Sequence, residues 1–243
     1  MDITGKVALV TGGAKRVGKA IVLALAQRGC KLVVHYHTSA AEADLTIQEL
    51  RSAGHEAIAL QANLTREEDV DRMIDAAVAH FGRVDILVNS AAVFFRTPID
   101  SLTLNEWKLT LDTNLMATFM CSQKLGLKMR TWGWGHIINM ADVAGQRPWA
   151  DYLAYSVSKA GVIALTQGLA IALAPEVRVN AVAPGPMLFL DDTPEEVRTR
   201  EIRKTLLKRM GTPEDVADMV VFIAESDYST GALFHVDGGR SLA

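Results

Sequence analysis

The chain has 243 residues, 49% of them hydrophobic, which suits one α/β domain with a large core. Its formal net charge of −3 argues against a nucleic-acid binder, which would show a basic stripe. The two cysteines, Cys30 and Cys121, lie far apart without metal-ligand spacing, so neither a disulfide framework nor a metal site is expected. The first ten residues lack a basic region followed by an apolar signal segment, and no apolar run reads as long enough to span a bilayer. The expectation is a soluble protein of the cytoplasm with no membrane partner.

Short apolar runs alternate with helical patterns along the whole chain. Strands are predicted over 7–10, 32–36, 57–61, 85–88, 136–140, 177–181 and 232–236. Helices are predicted over 18–28, 40–53 and 66–80, closed by Gly29, Gly54 and Gly82. Residues 104–129 carry the pattern of one long or broken helix. Further helices are expected over 152–173 and 213–225, the last with Thr212 as N-cap and Pro213 at its first position. Apolar strands alternating with helices predict an α/β fold: a Rossmann-like, doubly wound parallel sheet of about seven strands, helices on both faces, spanning 1–243 as one domain.

The first strand runs into Thr11-Gly-Gly-Ala-Lys-Arg-Val-Gly18 and then a helix. Strand, glycine turn and helix are the context a dinucleotide-binding loop requires. Gly12 permits the tight turn, Gly18 lets the helix approach the sheet, and the helix N-terminus offers free N–H groups to a pyrophosphate. The second strand ends in His37, Thr38 and Ser39, without the carboxylate that binds a ribose hydroxyl in NAD-specific sites. These three side chains can donate to a 2′-phosphate and Lys15 can add charge, which favours NADPH/NADP+; the alternative is that they only cap the strand and the next helix.

Tyr155 and Lys159, four residues apart, share one helix face. A phenol of pKa about 10 is a poor acid near neutral pH. A cation about 4 Å away supplies roughly 4 kcal/mol at an effective dielectric near 20, partly cancelled by desolvation. Lys159 is thus expected to lower the pKa of Tyr155 and make it a general acid. Asp142, thirteen residues before Tyr155, offers a carboxyl that accepts from ring N–H groups or passes a proton to Tyr155. The bland alternative is an acid that merely caps the fifth strand.

With these motifs in order, the chain resembles the short-chain dehydrogenase/reductase family from end to end. Asn63-Leu64, Asn89-Ser-Ala-Ala92 with Ala91, Asn114 and Pro184-Gly185 complete the match. The resemblance implies Asn63 and Leu64 near the adenine, and Asn89 and Ala91 beside the cofactor. It also implies Val17, Pro184 and Gly185 along the cofactor, Asn114 holding a water in a proton relay to Lys159, and a homotetramer packed through the helices around 115–127 and 155–173. Two departures point further. Arg16 stands where the family usually has glycine, and Asp142 where it usually has serine. Both look like the pteridine reductases, including the dihydromonapterin reductases, as do Phe94 after the fourth strand and Asp237-Gly-Gly-Arg240; Thr38, where eukaryotic members often carry arginine, departs from them.

That resemblance implies hydride transfer to a C=N bond of a pterin-like small molecule. Phe94 would stack on the ring, or simply pack its loop. Arg16 would bridge cofactor phosphate and pterin carbonyl, or touch phosphate alone. Leu188 and Phe189 would belong to a substrate-covering loop, or only pack it. A reductase of 3-oxoacyl chains on a carrier protein is the alternative activity, and a non-catalytic NADP(H) sensor the alternative class.

Overall fold

The computed structural model describes residues 1–188 and 193–243. Seven strands, β1 (Val7–Thr11), β2 (Lys31–Tyr36), β3 (Ala57–Gln61), β4 (Ile86–Asn89), β5 (Gly135–Met140), β6 (Val177–Pro184) and β7 (Leu233–Val236), form one parallel sheet in the order β3-β2-β1-β4-β5-β6-β7. The winding direction reverses between β1 and β4, so a crevice opens at their carboxyl ends, where open α/β sheets bind ligands.

Successive side chains of a strand point to opposite faces, and the apolar strands here feed two cores. Ala8, Val10, Leu32, Val34, Ile86 and Val88 pack with Ile21, Val22 and Leu25 of helix α1 (Arg16–Gln27), Ile47 and Leu50 of α2 (Ala40–Ser52) and Val216, Val220 and Ile223 of α8 (Pro213–Glu225). Val7, Leu9, Val33, Leu87 and Ile137 face the other way. They meet Val70, Met73 and Ile74 of α3 (Glu67–Phe81), Cys121, Leu125 and Met129 of α5 (Ala117–Thr131) and Leu169 and Leu173 of α6 (Leu153–Leu173). Cys30 and Cys121 fall in opposite cores, and burial pushes each thiol up to about 12.

The segment expected as one long or broken helix is broken. Helix α4 (Leu104–Leu111), opened by a capping box between Thr103 and Glu106, passes through a π-helical turn at Asp112–Met116 before α5. Thr212 and Asp215 form the capping box of α8 around Pro213. Strand β6 runs on to Pro184, three residues past its expected end. Helix α7 (Glu195–Arg203) was not predicted: it buries no side chain and therefore carries no apolar period.

The expectation that no run could span a bilayer needs correction. By length and composition alone α6 is apolar enough to cross one. Its inner face is core, and its apolarity continues outward through Val157 and Ile171, the latter 82% exposed. With Met116 and Leu127 also exposed, this is the surface to which the resemblance assigns the subunit contact.

Candidate active site

Gly12 takes a left-handed backbone, φ 65°, and lies so close to the loop after β4 that a Cβ would stand 3.0 Å from Ala91 Cα. At Gly18 a Cβ would meet the Gly12 carbonyl oxygen at 2.1 Å, so the turn and the start of α1 require both glycines. Thr11 Oγ1 accepts from the N–H groups of Ser90 and Ala91 at 2.9 and 3.1 Å and so ties the turn to the end of β4. The N-cap of α1, Lys15, is extended and makes no side-chain cap, a cradle suited to an anionic group. Arg16 and Lys15 are exposed, Arg16 at φ 52°; Val17 is half-buried against the core under α1.

Behind this loop stands a residue to which the sequence assigned no role. The buried His35 accepts the Gly12 N–H on Nδ1 (3.0 Å), which leaves Nε2–H to donate to Ala62 O (3.1 Å). Burial lowers its pKa to about 4, so it holds the turn as a neutral imidazole. His37 and Thr38 are exposed and Ser39 half-buried at the same strand end. Lys15 Nζ stands 3.9 Å from Glu42, an acid on α2 that offsets part of the charge expected there. Asn63 uses its Oδ1 locally, accepting from the Thr65 N–H (3.1 Å) and hydroxyl (2.8 Å). The side chain of Leu64 is buried in the core on the α3 side.

Asp142 lies where β5 gives way to a short 3₁₀ turn, Val143–Gly145. Its Oδ1 caps that turn, accepting from the Ala144 N–H at 2.8 Å, and its Oδ2 accepts from the Tyr155 hydroxyl at 2.9 Å. The acid therefore caps the turn and also meets the phenol. Gly145 makes this possible: a Cβ there would stand 2.8 Å from the Lys159 carbonyl carbon, so only glycine lets the turn lie on α6 beside the phenol. The sequence signal for Gly145 is Asp-x-x-Gly ahead of Tyr-x-x-x-Lys.

Lys159 corrects the expected electrostatics. Its Nζ donates to the Met140 carbonyl at 2.6 Å and stands 5.6 Å from the centre of the Tyr155 ring. Burial, followed by the charge of Asp142 and the hydrogen bond to it, holds the Tyr155 phenol well above its ordinary value instead of below it. Burial likewise pushes Asp142 up to about 6 and Lys159 down to about 8. Near neutral pH the phenol therefore keeps its proton and donates it in the hydrogen bond to a largely ionised carboxylate.

Asn114, fully buried in the π turn, spends its side chain on structure. Its Oδ1 accepts from the Val93 N–H (2.8 Å), and its Nδ2 donates to Val93 O (3.0 Å) and Ser158 Oγ (3.2 Å). Asn89 is buried too, donating to Ser122 Oγ at 2.9 Å and Asn139 Oδ1 at 2.8 Å across β4 and β5. Phe94 stacks on Tyr152, ring centres 4.6 Å apart and planes 4° from parallel, and meets the Tyr155 ring at 74°, centres 4.8 Å apart. Trp149 completes the cluster, 6.5 Å from Phe94. Tyr152 and Trp149 were not foreseen, since they come from a different loop.

On the other side, Gly185 sits against Asp237, where a Cβ would meet Cα at 2.7 Å, and its N–H donates to Val236 O just after Pro184 ends β6. Leu188 is exposed; Phe189 lies outside the described residues. A hollow of about 420 Å³ beyond β7, bounded in part by Met187, Leu206, Arg209 and Asp237, is lined by none of Asp142, Tyr155 and Lys159.

Residues 12–241 match the family described as enoyl-(acyl carrier protein) reductase. A 3-oxoacyl-[acyl-carrier-protein] reductase of Synechocystis is 40% identical, the match covering 99% of this chain and 98% of that protein. Glucose 1-dehydrogenase 2 of Bacillus subtilis is 33% identical, covering 99% and 96%. Among solved structures, a blue fluorescent protein from a metagenomic library, in complex with NADPH, aligns with a TM-score of 0.91 at 33% identity and covers 99% of both chains. Likeness of this extent, carried over nearly the full length of chain and relatives alike, makes the protein an oxidoreductase of the short-chain dehydrogenase/reductase family.

Proposed function

We propose that this oxidoreductase uses NADPH to reduce a ring C=N bond of a pterin or dihydropterin, with Tyr155 as the proton donor. The observation that carries the reading is the hydrogen bond from the Tyr155 hydroxyl to Asp142 Oδ2. NADPH supplies the hydride. Tyr155 delivers a proton to the ring nitrogen, and the Asp142 carboxyl, raised to about 6 by burial, returns one to the phenolate. A serine, the usual family residue there, can share a hydrogen bond but holds no proton to give near pH 7. An acid also accepts from the N–H groups at a pterin edge, as a hydroxyl cannot do with the same charge assistance. Lys159 supplies a buried cation that favours the tyrosinate as it forms.

A second reading is reduction of the carbonyl of a 3-oxoacyl thioester. The sequence likenesses favour it, since relatives named 3-oxoacyl-[acyl-carrier-protein] reductase reach 40% identity in Synechocystis and 36% in Staphylococcus epidermidis. The carboxylate at the reacting centre favours the first. Loss of NADPH absorbance with dihydrobiopterin, dihydrofolate and an acetoacetyl thioester, assayed separately, decides between them. Turnover confined to the thioester overturns the pterin reading.

Selectivity for NADPH is supported by the absence of an acid at the end of β2 and by the exposed Lys15 beside it. Lys15→Ala is expected to raise KM for NADPH about tenfold and leave KM for NADH unchanged, since one charge-assisted contact to the 2′-phosphate is lost. An equal effect on both coenzymes would place Lys15 outside phosphate recognition. The tetramer proposed through α5 and α6 is checked by light scattering, where the mass of a single chain would refute it.

A further inference from the structure

The cluster over the proton donor comes from two loops, and both are anchored. Phe94 lies between Val93, gripped by both polar atoms of the Asn114 side chain, and Thr97. Thr97 donates its N–H to Asp151 O at 2.6 Å, pairs as a parallel bridge with Tyr152, and accepts from the Ala154 N–H on Oγ1 at 3.4 Å. An Arg96–Asp151 ion pair of 2.7 Å joins the same two loops at the surface. Trp149 is pinned in turn, its N–H donating to Ser156 Oγ at 3.1 Å. The backbone on either side of the rings is therefore held before any substrate arrives.

The ring geometry then restricts what can bind. Tyr152 lies flat on one face of Phe94, Trp149 stands nearly perpendicular to both rings, and Tyr155 nearly perpendicular to Phe94. Phe94 nevertheless remains 37% exposed. A flat ring laid on such a wall gains a face contact at no ordering cost to the protein, whereas a linear acyl chain gains little of it. We propose that Tyr152 and Trp149 are positioning residues that back Phe94 and make this wall selective for planar ring substrates beside Tyr155. The proposal rests on the ring-substrate reading above.

The test is the KM-against-kcat split in Tyr152→Leu and Trp149→Leu. Each is expected to raise KM for a dihydropterin about fivefold, the worth of an aromatic pair, with kcat held within about twofold. KM for the acetoacetyl thioester and the affinity for NADPH should not move. Tyr152→Phe, which keeps the stacked ring, should restore the wild-type KM and remains informative if the leucine variant fails to fold. An unchanged KM for the dihydropterin, or an equal rise for the thioester, overturns the wall. If the wild-type protein turns over no dihydropterin, the reading above has failed separately. The same variants are then assayed with an aryl ketone against the thioester: loss confined to the aryl ketone upholds the wall, and equal behaviour overturns it.

Discussion

Tyr155→Phe is expected to lower kcat by about 10²–10⁴-fold while the affinity for NADPH stays within about twofold of wild type. The substitution removes one oxygen, the donor to Asp142 Oδ2, from a ring already buried between α6 and Phe94. Steric change is minimal, so the loss reads the proton transfer itself. The carboxyl left behind loses a hydrogen bond that lowers its pKa and becomes harder to ionise. NADPH binding, followed by fluorescence, separates a chemical defect from a folding one. Turnover within a few-fold of wild type would remove Tyr155 from the mechanism.

The second large effect is at Asp142. Asp142→Ser should reduce kcat/KM for a dihydropterin by about a hundredfold and change that for an acetoacetyl thioester by less than about threefold. The pH profile carries the sharper signature. With a folded value of about 6 against an ordinary 3.8, the native carboxyl keeps a proton that the unfolded chain has already released between those pH values. Activity that draws on this proton should fall as pH rises through about 6, and again above about 8, where the buried Lys159 loses its charge. The stability contributed by this group follows the same sign, because Asp142 binds more protons in the native state than in the unfolded one across that window. The contribution of Asp142 to stability is greatest below 3.8 and declines as pH rises through 6, by a total on the order of 3 kcal/mol. The serine variant should lose both the lower limb of the activity profile and this slope in denaturant titrations. A wild-type profile flat from pH 5 to 7 would sink the role given to the carboxyl.

How much of this was legible beforehand depends on how local each feature is. The Gly12–Gly18 turn, the Thr212 cap of α8 and the Tyr155–Lys159 spacing each lie within a few residues along the chain, so composition and period reveal them. Strands buried on both faces show as apolar runs, which is why the parallel sheet could be read in advance. Helix α7 escaped because it buries nothing, and the π turn at Asn114 because its extra residue breaks no hydrophobic pattern. The burial of the Leu64 side chain was not legible either, since an apolar residue after a strand gives no sign of which way it turns.

The linear order of residues was enough to establish a doubly wound dinucleotide fold and to nominate a phenol, an ammonium and a carboxyl for one reaction, because periodicity and glycine turns act over short spans. Packing alone set how those groups bear on one another. The approach of the 142–145 turn to α6 brings Asp142 to 2.9 Å from Tyr155, Lys159 is drawn to the Met140 carbonyl, and three rings from two loops gather above them. Whether a phenol becomes a stronger or a weaker acid is a contest between desolvation and neighbouring charge. Both depend on distances between segments remote in sequence, so the upward shift of Tyr155 emerged only once the chain was folded.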